Sequence, residues 1–67
     1  MSEEWTAVYS TNLLYHAELV KHLLNDNQIA AVIMNQQDSF YKIGSIDVMV
    51  KPADVVRAKH LISKTEF

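Results

Sequence analysis

The alternation of hydrophobic and polar residues predicts three β-strands. The most regular alternation is "SIDVMVK", in which Ile46, Val48 and Val50 share one side of an extended chain. Two shorter runs, "WTAVYS" and "IAAVIM", are apolar, contain aromatic or β-branched residues and end at polar residues that form turns, as strands do. The predicted strands span residues 5–10, 29–34 and 45–51.

Between the first two strands and again after the third, apolar residues recur at the three- and four-residue spacing of a helix face. In the first helix this face comprises Leu13, Ala17, Val20 and Leu24, and in the second it comprises Val55, Ala58, Leu61 and Ile62. The side chain of Thr11 or Asn12 is expected to cap the first helix, and Pro52 suits the first turn of the second. The predicted helices span residues 12–26 and 52–64, and a loop at 35–44 joins the second and third strands.

The order strand, helix, strand, strand, helix predicts an α+β fold. It is the ferredoxin-like order βαββα with the final strand missing, and residues 1–67 are expected to form a single domain. A helix joins the first two strands, so we expect a right-handed crossover between parallel strands, with the third strand lying between them and antiparallel to both. The prediction is therefore a three-stranded antiparallel sheet of order 1-3-2 with both helices on one face.

This fold leaves one face of the sheet uncovered and one edge of the first strand unpaired. If the apolar side of the third strand faces the helices, Met49 faces outward, and Met34 can join it from the second strand. The outward set on the first strand is either Trp5, Ala7 and Tyr9 or Thr6, Val8 and Ser10. We favour the aromatic set. An open edge or apolar face is normally covered, so we expect self-association, as a homodimer or a trimer. The expected surface comprises Trp5, Tyr9, Met34 and Met49.

The loop at 35–44 carries a second set of candidate binding residues. They are Asp38, Ser39, Phe40, Tyr41 and Lys42. Two adjacent aromatic residues on a loop can anchor a partner or a ligand; in the alternative reading, one of them folds back onto the core. Asp38 and Ser39 are residue types common in turns. We expect this loop to recognise another protein or a small molecule.

Several short features give the chain a family resemblance. The first strand ends in "VYS", Asn12 precedes the helix, Ala17 and Glu18 stand side by side within it, and paired leucines close it. The later features are Ile29, Ala31, Val48, Val50, Asp54 and Ala58. Over nearly its whole length the sequence resembles the small bacterial family described as "putative prokaryotic signal-transducing protein", a domain of unknown function. Gln28 stands where that family often has glycine, which implies a helix stop without glycine.

The resemblance implies a signalling role and a fold similar to that of the trimeric nitrogen-regulatory signal proteins. In those proteins a ligand-responsive loop joins the second and third strands, and the loop at 35–44 has the same topological place. Such a likeness implies a fold and does not carry a function. Gly44 is the only glycine in the chain, so the sequence contains no glycine-rich phosphate loop.

Composition argues against several classes of protein. Six basic residues are scattered among eight acidic ones, whereas binding of a phosphate backbone needs clustered lysine and arginine. We therefore expect no nucleic-acid partner, although Trp5 and Tyr9 could stack bases on an open sheet. Cysteine is absent, and no apolar run approaches the ~18 residues of a membrane span. The acidic start "MSEEW" differs from a signal peptide, so we expect a cytoplasmic protein that does not enter the membrane.

The sequence offers no convergent set of catalytic groups. Its imidazoles belong to His16, His22 and His60, and the first two, six residues apart, point to different faces of one helix. We expect no metal, no cofactor and no catalytic residue. The favoured hypothesis is a non-catalytic interaction or signalling module. The alternative is a small enzyme or ligand-binding protein that uses the loop, with His60 or His16 approaching Asp38 or Ser39.

Overall fold

The computed structural model describes residues 4–35 and 45–65. Its elements follow the order β1 (Thr6–Thr11), α1 (Leu14–Asp26), β2 (Ala31–Asn35), β3 (Ile46–Val50) and α2 (Val55–Lys64), with a short 3₁₀ helix at Pro52–Asp54. This is the predicted βαββα order. The predicted loop at 35–44 lies outside the described residues except for Asn35, which ends β2.

Strand β3 lies at the centre of the sheet. It pairs antiparallel with β1 on one side and with β2 on the other, which gives the strand order β1-β3-β2. The prediction of an α+β ferredoxin-like arrangement with a three-stranded antiparallel sheet is confirmed. Neither α1 nor α2 has the length and apolar character of a membrane-spanning helix, within the residues that the structure describes.

A single apolar core joins both helices to one face of the sheet. Among the described residues, the buried members of this core are Ala17, Val20, Leu24, Ile29, Ala31, Ile46, Val48, Val50 and Ala58. Ile46, Val48 and Val50 are the predicted inward side of β3, and burial of such side chains is the main source of stability in a small domain, about 1.5–3 kcal/mol for each large one. Residues of α1 and α2 pack on this same side of β3, so both helices cover one face.

The start of α1 differs from the prediction. The helix begins at Leu14, and Leu13 precedes it with extended backbone angles (φ −116°, ψ 116°). The hydroxyl of Thr11 accepts a hydrogen bond from the Leu13 N–H at 3.1 Å, so it holds the turn before the helix. Leu13 is 51% exposed. The prediction that Leu13 belongs to the buried helix face is wrong, because helical spacing does not apply to a residue with an extended backbone.

A β-bulge in β1 decides which side chains of that strand face the core. Ala7 is paired with Met49 and Tyr9 with Val48, so Val8 and Tyr9 together lie opposite a single residue of β3. Both Val8 and Tyr9 pack against the core. The favoured outward set is therefore divided: Ala7 faces away from the helices, whereas the prediction for Tyr9 is wrong. The extra residue of the bulge shifts the alternation between Ala7 and Tyr9.

The end of α1 is a Schellman motif with glutamine in the position usually taken by glycine. Gln28 has φ 66°, which lies in the left-handed region. Its N–H donates to the carbonyl oxygen of Asn25 at 3.0 Å, and the Ile29 N–H donates to that of Leu24 at 2.9 Å. Leu24 and Ile29 are both buried in the core, which is the apolar contact typical of this motif. The turn thus ends the helix without glycine, as the sequence implied. Ile29 belongs to this turn, so the second strand begins at Ala31 and not at the predicted residue 29.

Arg57 joins the two helices at this same end. Its Nη2 donates to the carbonyl oxygen of Asn27 at 3.0 Å, and its Nη1 lies 3.8 Å from Oδ1 of Asp54. The side chain of Asn27 in turn donates to the carbonyl oxygen of Leu23 at 2.8 Å. These contacts satisfy carbonyl groups at the end of α1 and fix α2 beside it.

Candidate functional site: the open sheet face

The candidate site is the face of the sheet opposite the helices, which we call the open face. Its side chains lie in two rows that cross all three strands. The first, which we call the apolar row, is Ala7, Met49 and Val32 from β1, β3 and β2; the second, the polar row, is Ser10, Asp47 and Met34. No element within residues 4–35 and 45–65 lies over these rows, because both described helices pack on the other side.

The open face exposes apolar side chains to solvent. Val32 is 38% exposed and Met34 is 48% exposed, while Met49, on the central strand between its neighbours, is half-buried. Single exposed apolar residues are normal on a protein surface. Here they are contiguous across neighbouring strands, which is the arrangement that marks interaction surfaces.

Asp47 provides a fixed negative charge in the polar row. Its Oδ1 accepts hydrogen bonds from the hydroxyl groups of Ser10 at 2.8 Å and Ser45 at 3.0 Å. Hydrogen bonds to a carboxylate are stronger than bonds between neutral groups. The carboxylate of Asp47, which is half-buried, is therefore held in place on the central strand.

A positive charge lies beyond the apolar row, at the other end of the same strand. The Nζ of Lys51 lies 6.0 Å from the centre of the Trp5 ring, within the range of a cation–π contact. Lys51 lies directly after β3 and has extended backbone angles (φ −71°, ψ 151°). Because Val50 before it faces the core, the alternation of an extended chain places Lys51 on the side of Asp47 and Met49. The open face thus has a negative end, an apolar middle and a positive end.

The structure brings together three of the four residues predicted for self-association. Met34 and Met49 lie on the open face, and Trp5 lies beside it against Lys51. Tyr9 lies opposite Val48 and packs against the core. The predicted loop residues are Asp38, Ser39, Phe40, Tyr41 and Lys42, and they lie outside the described residues.

The histidines are dispersed over the helices. The ring of His16 lies 5.7 Å from that of Tyr15, and Nε2 of His22 lies 3.7 Å from Oδ2 of Asp26, a pair that is mostly exposed to solvent. His60 is on α2, where its carbonyl oxygen accepts a hydrogen bond from Ser63. In the part of the chain that the structure describes, no three acidic or imidazole groups gather in a metal-binding cluster and no cavity is present.

The predicted site residues do not include the charged and hydroxyl groups of the open face. The alternation of "SIDVMVK" does place Asp47 and Lys51 on the same side as Met49, so the sequence contains the signal for both charges. The signal for Ser10 was absent, because its bond to Asp47 joins residues 37 positions apart and depends on the pairing of β1 with β3.

Comparison with known proteins gives a family match. The sequence model of the family described as "Putative prokaryotic signal transducing protein" matches residues 5–66, which is nearly the whole chain. No curated protein and no solved structure matches the sequence.

Proposed function

Since the chain belongs to the family described as "Putative prokaryotic signal transducing protein", we propose that it is a small non-catalytic signalling module that associates with itself, as a homodimer, through the open face. The observation that carries this proposal is the apolar row with Met34 beside it, exposed on a face that no described element covers. A second copy would remove this surface from water.

The small size of the domain supports self-association. A chain of 67 residues buries only about 60% of the surface that its unfolded form exposes, so its stability margin is narrow. Burial of further apolar surface stabilises the folded state by about 25 cal/mol for each Å². A second copy is always present at the same concentration as the first, so it is the simplest partner for such a surface.

The face is a better candidate than the edge of β1. The bulge between Ala7 and Tyr9 interrupts the regular spacing of backbone groups along that edge. Bulges of this kind are one of the devices by which natural proteins protect edge strands from pairing with another chain. The open face has a bulge on only one of its three strands and presents a regular row of side chains across all of them.

A pair of double variants tests the proposal. Val32→Thr with Met34→Gln makes the open face polar while it keeps side-chain size and strand propensity. The matched control, Leu14→Gln with Val56→Thr, makes the same change at residues of the helices that are 50% and 81% exposed. We expect the first variant to raise the dimer dissociation constant at least about tenfold, or 1.4 kcal/mol, because it changes two side chains in each copy. The control variant should have a dimer dissociation constant within about threefold of the wild-type value.

Sedimentation equilibrium measures both constants, and circular dichroism checks that each variant is folded. Equal weakening in both variants would indicate a general effect of surface polarity. Weakening in the control alone would move the interface to the helices. Either result would contradict the assignment of self-association to the open face.

A further inference from the structure

The outward residues of the central strand, together with the residue that follows it, form a pattern that is complementary to itself. Asp47 and Met49 face outward from β3, and Lys51 directly follows the strand with an extended backbone, so the middle of the open face is negative, then apolar, then positive. At a rise of about 3.3 Å per residue, the two charges are about 13 Å apart, with Met49 halfway between them. If a second copy is turned end to end and placed against the first, each charge of one copy faces the opposite charge of the other.

We propose that two copies pack face to face with their β3 strands antiparallel, so that Asp47 meets Lys51 of the partner subunit and Met49 meets Met49 of the partner subunit. This inference rests on the proposed self-association and assigns its geometry. The contact is isologous, with a two-fold axis that lies between the sheets, passes over Met49 and crosses the strands.

Charge selects this axis over the alternative one. A two-fold axis parallel to β3 would place Asp47 against its own copy and Lys51 against its own copy, and like charges in contact across an interface cost several kcal/mol. With the axis across the strands, the two Asp47 carboxylates and the two Lys51 amines of the dimer form two pairs of opposite charge. The hydroxyl groups of Ser10 and Ser45 hold the Asp47 carboxylate on the face in the orientation that the structure shows.

The apolar row is compatible with the same axis. It places Ala7 on Ala7 of the partner subunit and Val32 on Val32 of the partner subunit, so the apolar row packs on its own copy. Packed sheets lie about 10 Å apart with strands rotated by about 30°. Since each charge is about 7 Å from the axis, this rotation displaces it sideways by only about 3 Å, which a lysine side chain can follow.

The size of the face sets the strength of the contact. Three strands about 4.8 Å apart and five or six residues long give a footprint of about 14 by 18 Å. This footprint, about 250 Å² on each copy, is smaller than that of a standard specific interface and fits a weak, transient contact. We therefore expect a reversible dimer with a dissociation constant in the high micromolar range, which suits a module whose assembly responds to its concentration.

A charge-swap experiment on the full chain tests the antiparallel geometry. Asp47→Lys and Lys51→Glu each replace two attractive contacts with two repulsive ones, so each should raise the dissociation constant at least about tenfold. The double variant carries the pattern positive, apolar, negative, which is again complementary to itself. It should return to within about threefold of wild type, and this recovery excludes misfolding as the cause of the single effects.

Two controls match the changes in net charge. Glu18→Lys and Lys59→Glu alter the charge by the same amounts as the single variants, at exposed positions on the helices. Each should leave the dissociation constant nearly unchanged. An equimolar mixture of the two single variants gives a further test, because a face with two positive charges then meets a face with two negative ones, and the mixture should form a heterodimer.

The outcomes separate this inference from the proposed function. A wild-type protein that remains monomeric at every concentration would overturn both. A wild-type dimer that is insensitive to the single changes would overturn the antiparallel geometry and leave self-association intact. Single variants that dissociate without recovery in the double variant would also overturn the geometry.

Discussion

The glutamine that closes α1 carries a conformational cost that a single substitution can remove. Gln28 has φ 66°, where a side chain with a Cβ atom is disfavoured by about 1–2 kcal/mol. Glycine has no such penalty, but it loses about 0.4–1 kcal/mol more conformational entropy on folding. The Gln28 side chain is exposed, so its removal sacrifices little packing. The net effect of Gln28→Gly is therefore an expected stabilisation of about 0.5–1 kcal/mol.

This gain is measurable because the domain is small. At about 0.05–0.15 kcal/mol per residue, the 67 residues have a total stability of about 3–10 kcal/mol. With a urea dependence of about 1 kcal/mol per molar, Gln28→Gly should raise the unfolding midpoint by about 0.5–1 M. Trp5 is the only tryptophan, and its fluorescence or the helical circular dichroism signal reports the transition at fixed protein concentration.

Two controls isolate the backbone effect. Gln28→Ala keeps the Cβ atom and should leave the midpoint nearly unchanged. Glu18→Gly, in the middle of α1, should lower stability by about 1 kcal/mol, because glycine is unfavourable in a helix interior. If Gln28→Gly is no more stable than Gln28→Ala, the left-handed backbone at this turn carries no cost that glycine can remove.

Two further predictions concern the packing of the helices, and urea unfolding measures each of them. Leu24→Ala should destabilise the fold by about 2–5 kcal/mol, because Leu24 is fully buried. Leu14→Ala is the same change at a side chain that is 50% exposed, and it should destabilise the fold by less than about 1 kcal/mol. Equal effects of the two variants would contradict the assigned core. Arg57→Ala should lower the free energy of unfolding by about 1 kcal/mol, because it removes the hydrogen bond to the Asn27 carbonyl oxygen. Lys59→Ala, at an exposed position of α2, should leave the free energy of unfolding nearly unchanged. If the two variants are equally stable, this hydrogen bond between the helices does not stabilise the fold.

The elements and their order could be predicted because their signals are local. Ile46, Val48 and Val50 alternate without interruption, and the structure buries all three. The helical spacing of Ala17, Val20 and Leu24 likewise identified the face of α1 that packs on the sheet. In each case the pattern repeats over a whole element, so an error of one or two residues in the predicted ends does not change which side is buried.

The errors occurred where a single residue changes the pattern. The run "TAVYS" fits a regular strand of either orientation, and only the pairing with β3 reveals the bulge that turns Tyr9 towards the core. Leu13 fits the helix face by spacing, but the helix begins one residue later. The cluster of Ser10 and Asp47 depends on the same pairing. A turn between two strands would fix their register, but β1 and β3 are separated by α1 and β2, and the alternation of β1 does not mark the position of its bulge.

The mass of the protein in solution shows directly whether the open face joins two copies of the chain. Sedimentation velocity of the wild-type protein, from about 1 µM to about 1 mM, covers the range in which an interface of this size should assemble. If the open face joins two copies, the mass rises from the 7.7 kDa of one chain towards twice that value as the concentration increases. A mass that stays at 7.7 kDa throughout would contradict this self-association.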